Sequence, residues 1–124
     1  MAKTTVKAVK QYINSGFTVL IASVVPADNV YVAGGVQLNL APGQILDPSA
    51  IGVTGPSQVP TVTPGIFSQN MQGYTAAVVP ATTQGAAGLS TYKLQYFAPG
   101  GAEIGAGAYN AAITAGYVNL QILH

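Results

Sequence analysis

Turn-forming clusters interrupt this sequence from one end to the other: Asn14-Ser15-Gly16, Asp28-Asn29, Gly34-Gly35, Pro42-Gly43, Asp47-Pro48-Ser49, Gly55-Pro56-Ser57, Pro64-Gly65, Gln84-Gly85, Pro99-Gly100-Gly101 and Ala115-Gly116. Short segments between frequent turns mean strands. Three of the clusters are Pro-Gly, where proline sets φ at the first central position of a type II turn and glycine supplies the positive φ of the second.

The segments agree with that reading. Val36, Leu38 and Leu40 alternate with Gln37 and Asn39, and Val118, Leu120 and Ile122 alternate with Asn119 and Gln121, the pattern of half-buried strands. Tyr92, Leu94 and Tyr96 share one face of another strand while Lys93 and Gln95 share the opposite one. Residues 17–25 lack clean alternation and predict a central strand covered on both sides. Further strands are expected at 29–33, 59–62, 74–79 and about 108–114. The proline-rich stretch 44–73 reads as long loops around one edge strand, and 101–108 as an Ala-Gly loop that lets a second backbone come close. The expected fold is all-β, a single-domain β-sandwich, jelly-roll-like fold or small barrel over residues 15–124.

Residues 1–14 stand apart as an N-terminal arm because they hold three of the four lysines, Lys3, Lys7 and Lys10. Val6, Val9 and Ile13 have helix-like spacing, whereas Thr4 and Thr5 suit an extended segment. The arm is either a solvated terminus or a segment that orders on a partner. Together with the apolar run 17–25 and Pro26-Ala27 it imitates a secretory leader. Thr18 and Ser23 break that run, however, and a turn precedes it, so no leader is expected. A run of nine residues is also far short of the roughly 20 that a membrane-spanning helix requires.

Charge limits function more than fold. Only 6% of the 124 residues are charged, arginine is absent, and no formal charge occurs between Asp47 and Lys93. Soluble domains average about 25% charged residues, so this surface suits a protein neighbour better than bulk water. A net charge of +1 provides no basic face for nucleic acid.

Catalytic machinery is nearly missing from the inventory. The single histidine is His124, and the acids are Asp28, Asp47 and Glu103, each in a turn or loop. Asp28 and Asp47 have the ordinary role of Asx-type turns. No cysteine exists, and no calcium-loop or phosphate-loop pattern occurs, so no catalytic residue, metal site or cofactor is expected. A small hydrolase built on Asp28, Asp47, Glu103 and His124 is the least favoured reading. The seven tyrosines are either strand residues or interface residues. With the lysines they give the candidate interface set Lys3, Lys7, Lys10, Tyr12, Tyr92 and Tyr96. A glycan-binding domain of a phage tail, fibre or cell surface, using Tyr-lined loops, is the alternative.

The lysine-bearing segment through Lys10, the strand and Pro-Gly layout from Phe17 onward, the absent cysteine and the charge-poor surface resemble the small β-rich capsid decoration (cement) proteins of tailed bacteriophages. That resemblance implies a non-enzymatic virion protein, made in the host cytoplasm and carried on the capsid surface. It would contact the major capsid protein and its own copies, as a homo-oligomer with the trimer favoured, and neither nucleic acid nor membrane.

Overall fold

Seven strands and one short helix account for the regular structure in a computed structural model that describes residues 4–14, 17–26, 28–38, 64–80 and 92–123. The strands are β1 (Thr4–Asn14), β2 (Phe17–Pro26), β3 (Val36–Leu38), β4 (Gly65–Asn70), β5 (Thr75–Pro80), β6 (Tyr92–Phe97) and β7 (Tyr117–Leu123), and the helix is α1 (Ala111–Thr114). They form two antiparallel sheets, ordered β1-β2-β7-β4 and β3-β6-β5.

Alternation decides which side chains meet between the sheets. Leu20, Ala22 and Val24 of β2 and Val118, Leu120 and Ile122 of β7 are buried from one side, and Val36, Leu38, Tyr92, Leu94 and Tyr96 from the other. All belong to one cluster, completed by Tyr31, Met71, Ala76, Tyr109 and Ile113. Leu20, Leu38, Leu94, Leu120 and Ile122 are wholly inaccessible; full burial of such a side chain stabilises by roughly 1.5–3 kcal/mol.

One side of the sandwich is tied by a corner between the sheets. Gln72 and Gly73 both have positive φ, 55° and 96°, and the Tyr74 N–H donates to the Met71 carbonyl at 3.2 Å. Two such residues in succession make the tight turn whose twist suits a hairpin. From β4 the Gln69 side-chain oxygen then accepts the Ala76 N–H of β5 at 2.8 Å, so an amide does at this edge what a neighbouring strand would do.

Several expectations are met and several are corrected. The alternating segments at 36–40, 92–97 and 118–122 supply β3, β6 and β7, with Asn39 and Leu40 outside the described residues. The central strand is β2, between β1 and β7. Its cover is one-sided toward its end, since Ile21 is buried but Val25 is 40% exposed. The edge strand in 44–73 is β4, a position not assigned from sequence; 59–62 lies outside the described residues.

Residues 29–33 are not a strand but a single bridge, Tyr31 to Gly107. The expected strand at 108–114 is instead α1, because the Asn110 side chain caps the Ala112 N–H at 2.9 Å and two alanines follow the cap. Gly116 closes that corner: a Cβ there would lie 2.7 Å from Met71 Cγ and 2.8 Å from the Ala112 carbonyl oxygen. At 98–101 the positive φ falls on Gly101 and not on Gly100, with Gly101 N–H to Ala98 O at 2.8 Å and Ala98 N–H to Ala102 O at 2.7 Å. This is a three-residue hairpin loop and not the expected type II turn.

Residues 4–14, set apart from sequence as an arm, are extended and not helical. They pair with β2 from Thr4↔Pro26 to Asn14↔Phe17, with a register shift between Ala8 and Lys10. The 1–14 and 15–124 division therefore does not separate this strand from the sheet.

Candidate interaction surfaces

Titratable side chains converge at one place among the described residues, the loop end of the sandwich. The Tyr31 hydroxyl donates to Oε2 of Glu103 at 2.6 Å, and the Gly34 N–H donates to the same oxygen at 2.8 Å. The Tyr31 hydroxyl oxygen in turn accepts the Tyr96 N–H at 3.3 Å. Tyr31, Tyr96 and Tyr109 pack edge to face on one another, with ring centroids 5.5–6.0 Å apart. Such pairs add about 0.5–1.5 kcal/mol each beyond the area they bury.

This environment removes acid–base chemistry instead of supplying it. Burial raises Tyr31, and its bond to the Glu103 carboxylate raises it further. Burial likewise raises Tyr96. Tyr109 is pushed up to about 12 by burial and then by the Asp28 charge. Glu103 is held below its ordinary value by the Tyr31 hydroxyl and then by the Gly34 N–H. All three phenols stay neutral at physiological pH, and the carboxylate is committed to fixing two loops.

No group of three or more His, Asp or Glu able to hold a metal gathers among the described residues. Asp47 and His124 lie outside them. The surface of the described residues has a depression of about 550 Å³ lined by Pro26, Asp28, Asn29, Tyr109, Ala111 and Thr114, and another of about 320 Å³ beside Asn70, Gln72 and Tyr117. Among the described residues each is lined by at most one acid, and neither by a base.

The candidate interface residues divide. Tyr92 and Tyr96 are buried at 3% and 1% exposure and belong to the core, which corrects their assignment to an interface. The reason is already in the alternation: they share the face of Leu94, and that face turns inward. Lys7, Lys10 and Tyr12 occupy register positions opposite Ser23, Ile21 and Val19. Lys3 lies outside the described residues. Tyr31 and Tyr109 are buried as well, so four tyrosines are withdrawn from any glycan platform on loops.

Exposed large apolar side chains occur elsewhere. Val25, Phe67 and Tyr117 lie on the four-stranded sheet and Val30 and Val32 on the loop after β2. Phe67, 58% exposed, occupies the register shift between Ile66 and Ser68, where one extra residue leaves the pleat. Tyr117 opens β7 opposite Asn70. Between these lie Ser23, Ser68, Asn119 and Gln121, with Asn119 donating to the Ser68 hydroxyl at 3.1 Å. The candidate interface set contains none of the five, although Tyr117 is one of the seven tyrosines weighed as strand or interface residues. For Val30 and Val32 the signal was available, since an aromatic flanked by two valines in extended chain places the ring on one side and both valines on the other.

No family model, no curated protein and no solved structure matches the chain.

Proposed function

We propose that this chain is a non-enzymatic structural protein of a phage virion, decorating and stabilising the capsid by packing on the major capsid protein. The observation that carries the reading is the uncharged outer face of β2, β7 and β4, from Val25 through Ser23, Asn119 and Gln121 to Phe67 and Tyr117. A protein partner covers such a face without stripping water from ions, a step that costs several kcal/mol per unpaired charge. Ser and Asn between the apolar residues supply the hydrogen bonds that an interface of ordinary size uses. The reading includes self-association of copies, with the trimer favoured, and a place on the outside of the shell.

Co-sedimentation with shells assembled from the major capsid protein of the same phage tests it. Saturable binding that raises the temperature of shell disruption is expected, and Phe67→Glu with Tyr117→Glu abolishes it. A chain that stays in the supernatant at every concentration overturns the reading.

A further inference from the structure

The corner where β4, β7 and α1 meet holds the smaller depression, about 320 Å³, lined by Asn70, Gln72, Ala112, Ala115, Gly116 and Tyr117. That volume is at the small end of ligand sites. Backbone contacts fix its shape in advance. Asn70 pairs with Tyr117 across the β4–β7 ladder, and the N–H groups of Ala115 and Gly116 donate to the carbonyls of Ala111 and Ile113 at 2.9 and 3.2 Å. A Cβ on Gly116 would collide with the Asn70 carbonyl oxygen, so the close approach of these segments requires glycine there.

The polar groups around this depression do little for the fold. Asn70 and Gln72 are both exposed. The Asn70 side-chain oxygen meets the Gln72 N–H only at 3.5 Å, and among the described residues the Asn70 amide nitrogen, the Gln72 amide and the Tyr117 hydroxyl have no hydrogen-bond partner. Gln72 is also the one non-glycine among the described residues with a left-handed φ, 55°. The first central position of such a turn favours Asn, Asp or Gly. A glutamine there carries backbone strain without helping the turn, and strain of this kind gathers where a side chain serves a ligand.

The lining selects the ligand by its chemistry. Among the described residues it contains no acid, lysine or histidine, so nothing in it balances a charged ligand. It offers two amides, each a donor and an acceptor on neighbouring atoms, which matches the paired hydroxyls of a polyol. Beside them stands the Tyr117 ring, 46% exposed, whose apolar face suits the C–H face of a sugar. We infer that this corner binds a neutral pyranose, with Asn70 and Gln72 bonding its hydroxyls and Tyr117 packing against its ring. The inference goes beyond the proposed function and does not depend on it, although Tyr117 belongs to both surfaces.

Nitrogen-edited NMR of the full chain tests this, with the methyl glycosides of glucose, galactose, mannose and N-acetylglucosamine each added to about 10 mM, enough to fill most of a site of about millimolar Kd. At least one glycoside is expected to shift the side-chain amide signals of Asn70 and Gln72 saturably, and magnetisation from the protein to reach its ring C–H protons. Tyr117→Ala abolishes both effects. Gln72→Gly relieves the left-handed φ, so it should hold or raise Tm while weakening binding about fivefold, which separates a lost contact from a lost fold. Glycosides that shift nothing, or shift only signals remote from this corner, overturn the inference, as does a Gln72→Gly variant that binds as tightly as the wild type. Each of those results leaves the proposed function standing. A chain that binds a glycoside here but never binds shells keeps the inference and loses that function.

Discussion

Leu94 and Tyr31 are buried to the same degree, 0% and 1% exposed, in the same cluster, and different forces hold them there. Leu94 sits between β3 and β5 and meets apolar side chains from the facing sheet. Tyr31 reaches equal burial from a loop, through two backbone bonds to Gly107, one bond to Glu103 and one from Tyr96. The first position depends on shape and is indifferent to pH; the second depends on a carboxylate at the surface. The interior is therefore robust where the loop end is conditional, and the exposed Val30 and Val32 belong to the conditional part.

The largest effect is expected from breaking the interior. Leu94→Ala leaves a cavity that two sheets cannot close, and stability should fall by about 3 kcal/mol. Urea titration measures it, and the loss should be the same at pH 4 and pH 8. A loss that varied with pH would mean that the interior, like the loop end, depends on an ionised group.

Tyr31→Phe keeps the ring and removes the hydroxyl, so it tests the loop end alone. The Glu103 carboxylate and the Tyr96 N–H each lose a partner, for a cost of about 1–2 kcal/mol. Amide exchange should accelerate at Gly34 and Gly107 before it does in β6 or β7. Equal acceleration everywhere would mean that Tyr31 supports the fold as a whole.

The difference between the two regions also explains what could be read in the sequence. The residues of β6 and β7 were legible because single-face burial imposes a period of two, so Leu94, Leu120 and Ile122 announce themselves. The same rule already placed Tyr92 and Tyr96 inside, and reading them as an interface gave tyrosine chemistry more weight than register. The loop end was illegible for another reason: Tyr31 and Glu103 are 72 positions apart, and nothing local marks a partnership made only by folding. In α1 the four residues from Ala111 to Thr114 are too few to show a helical period, so a capping asparagine was the sole cue. Phe67 was hidden inside a proline-rich segment, where the bulge that exposes it depends on pairing with β7.

A pH series separates the regions further. The folded value of Glu103 is depressed below its ordinary 4.5, so its contribution is complete above that value and is lost as pH falls through the lower, folded one. The tyrosine contribution has the opposite sense: Tyr31, Tyr96 and Tyr109 are raised above 10, so it is complete below pH 10 and lost as pH climbs toward their folded values. Thermal melts from pH 3 to 11 should show both arms. Glu103→Gln should flatten the acid arm and leave the alkaline one, and an acid arm unchanged in that variant would place its origin elsewhere.

The smallest expected effect is the sharpest. Tyr109 has its hydroxyl buried with no hydrogen-bond partner among the described residues, although its ring closes the aromatic triangle and its N–H donates to Asn29 at 3.0 Å. At the phenol oxygen Tyr31 and Tyr109 therefore differ, the first being bonded and the second not. Removing a bonded hydroxyl is costly, whereas removing an unbonded buried one recovers its lost hydration, so Tyr109→Phe should be neutral or stabilising by up to about 1 kcal/mol. The two Tyr→Phe changes should therefore differ in sign or nearly so, with the ring packing common to both. If Tyr109→Phe costs as much as Tyr31→Phe, the hydroxyl contributes as a bonded group. The loop end would then be held by packing together with a second polar anchor, and no longer by Glu103 alone.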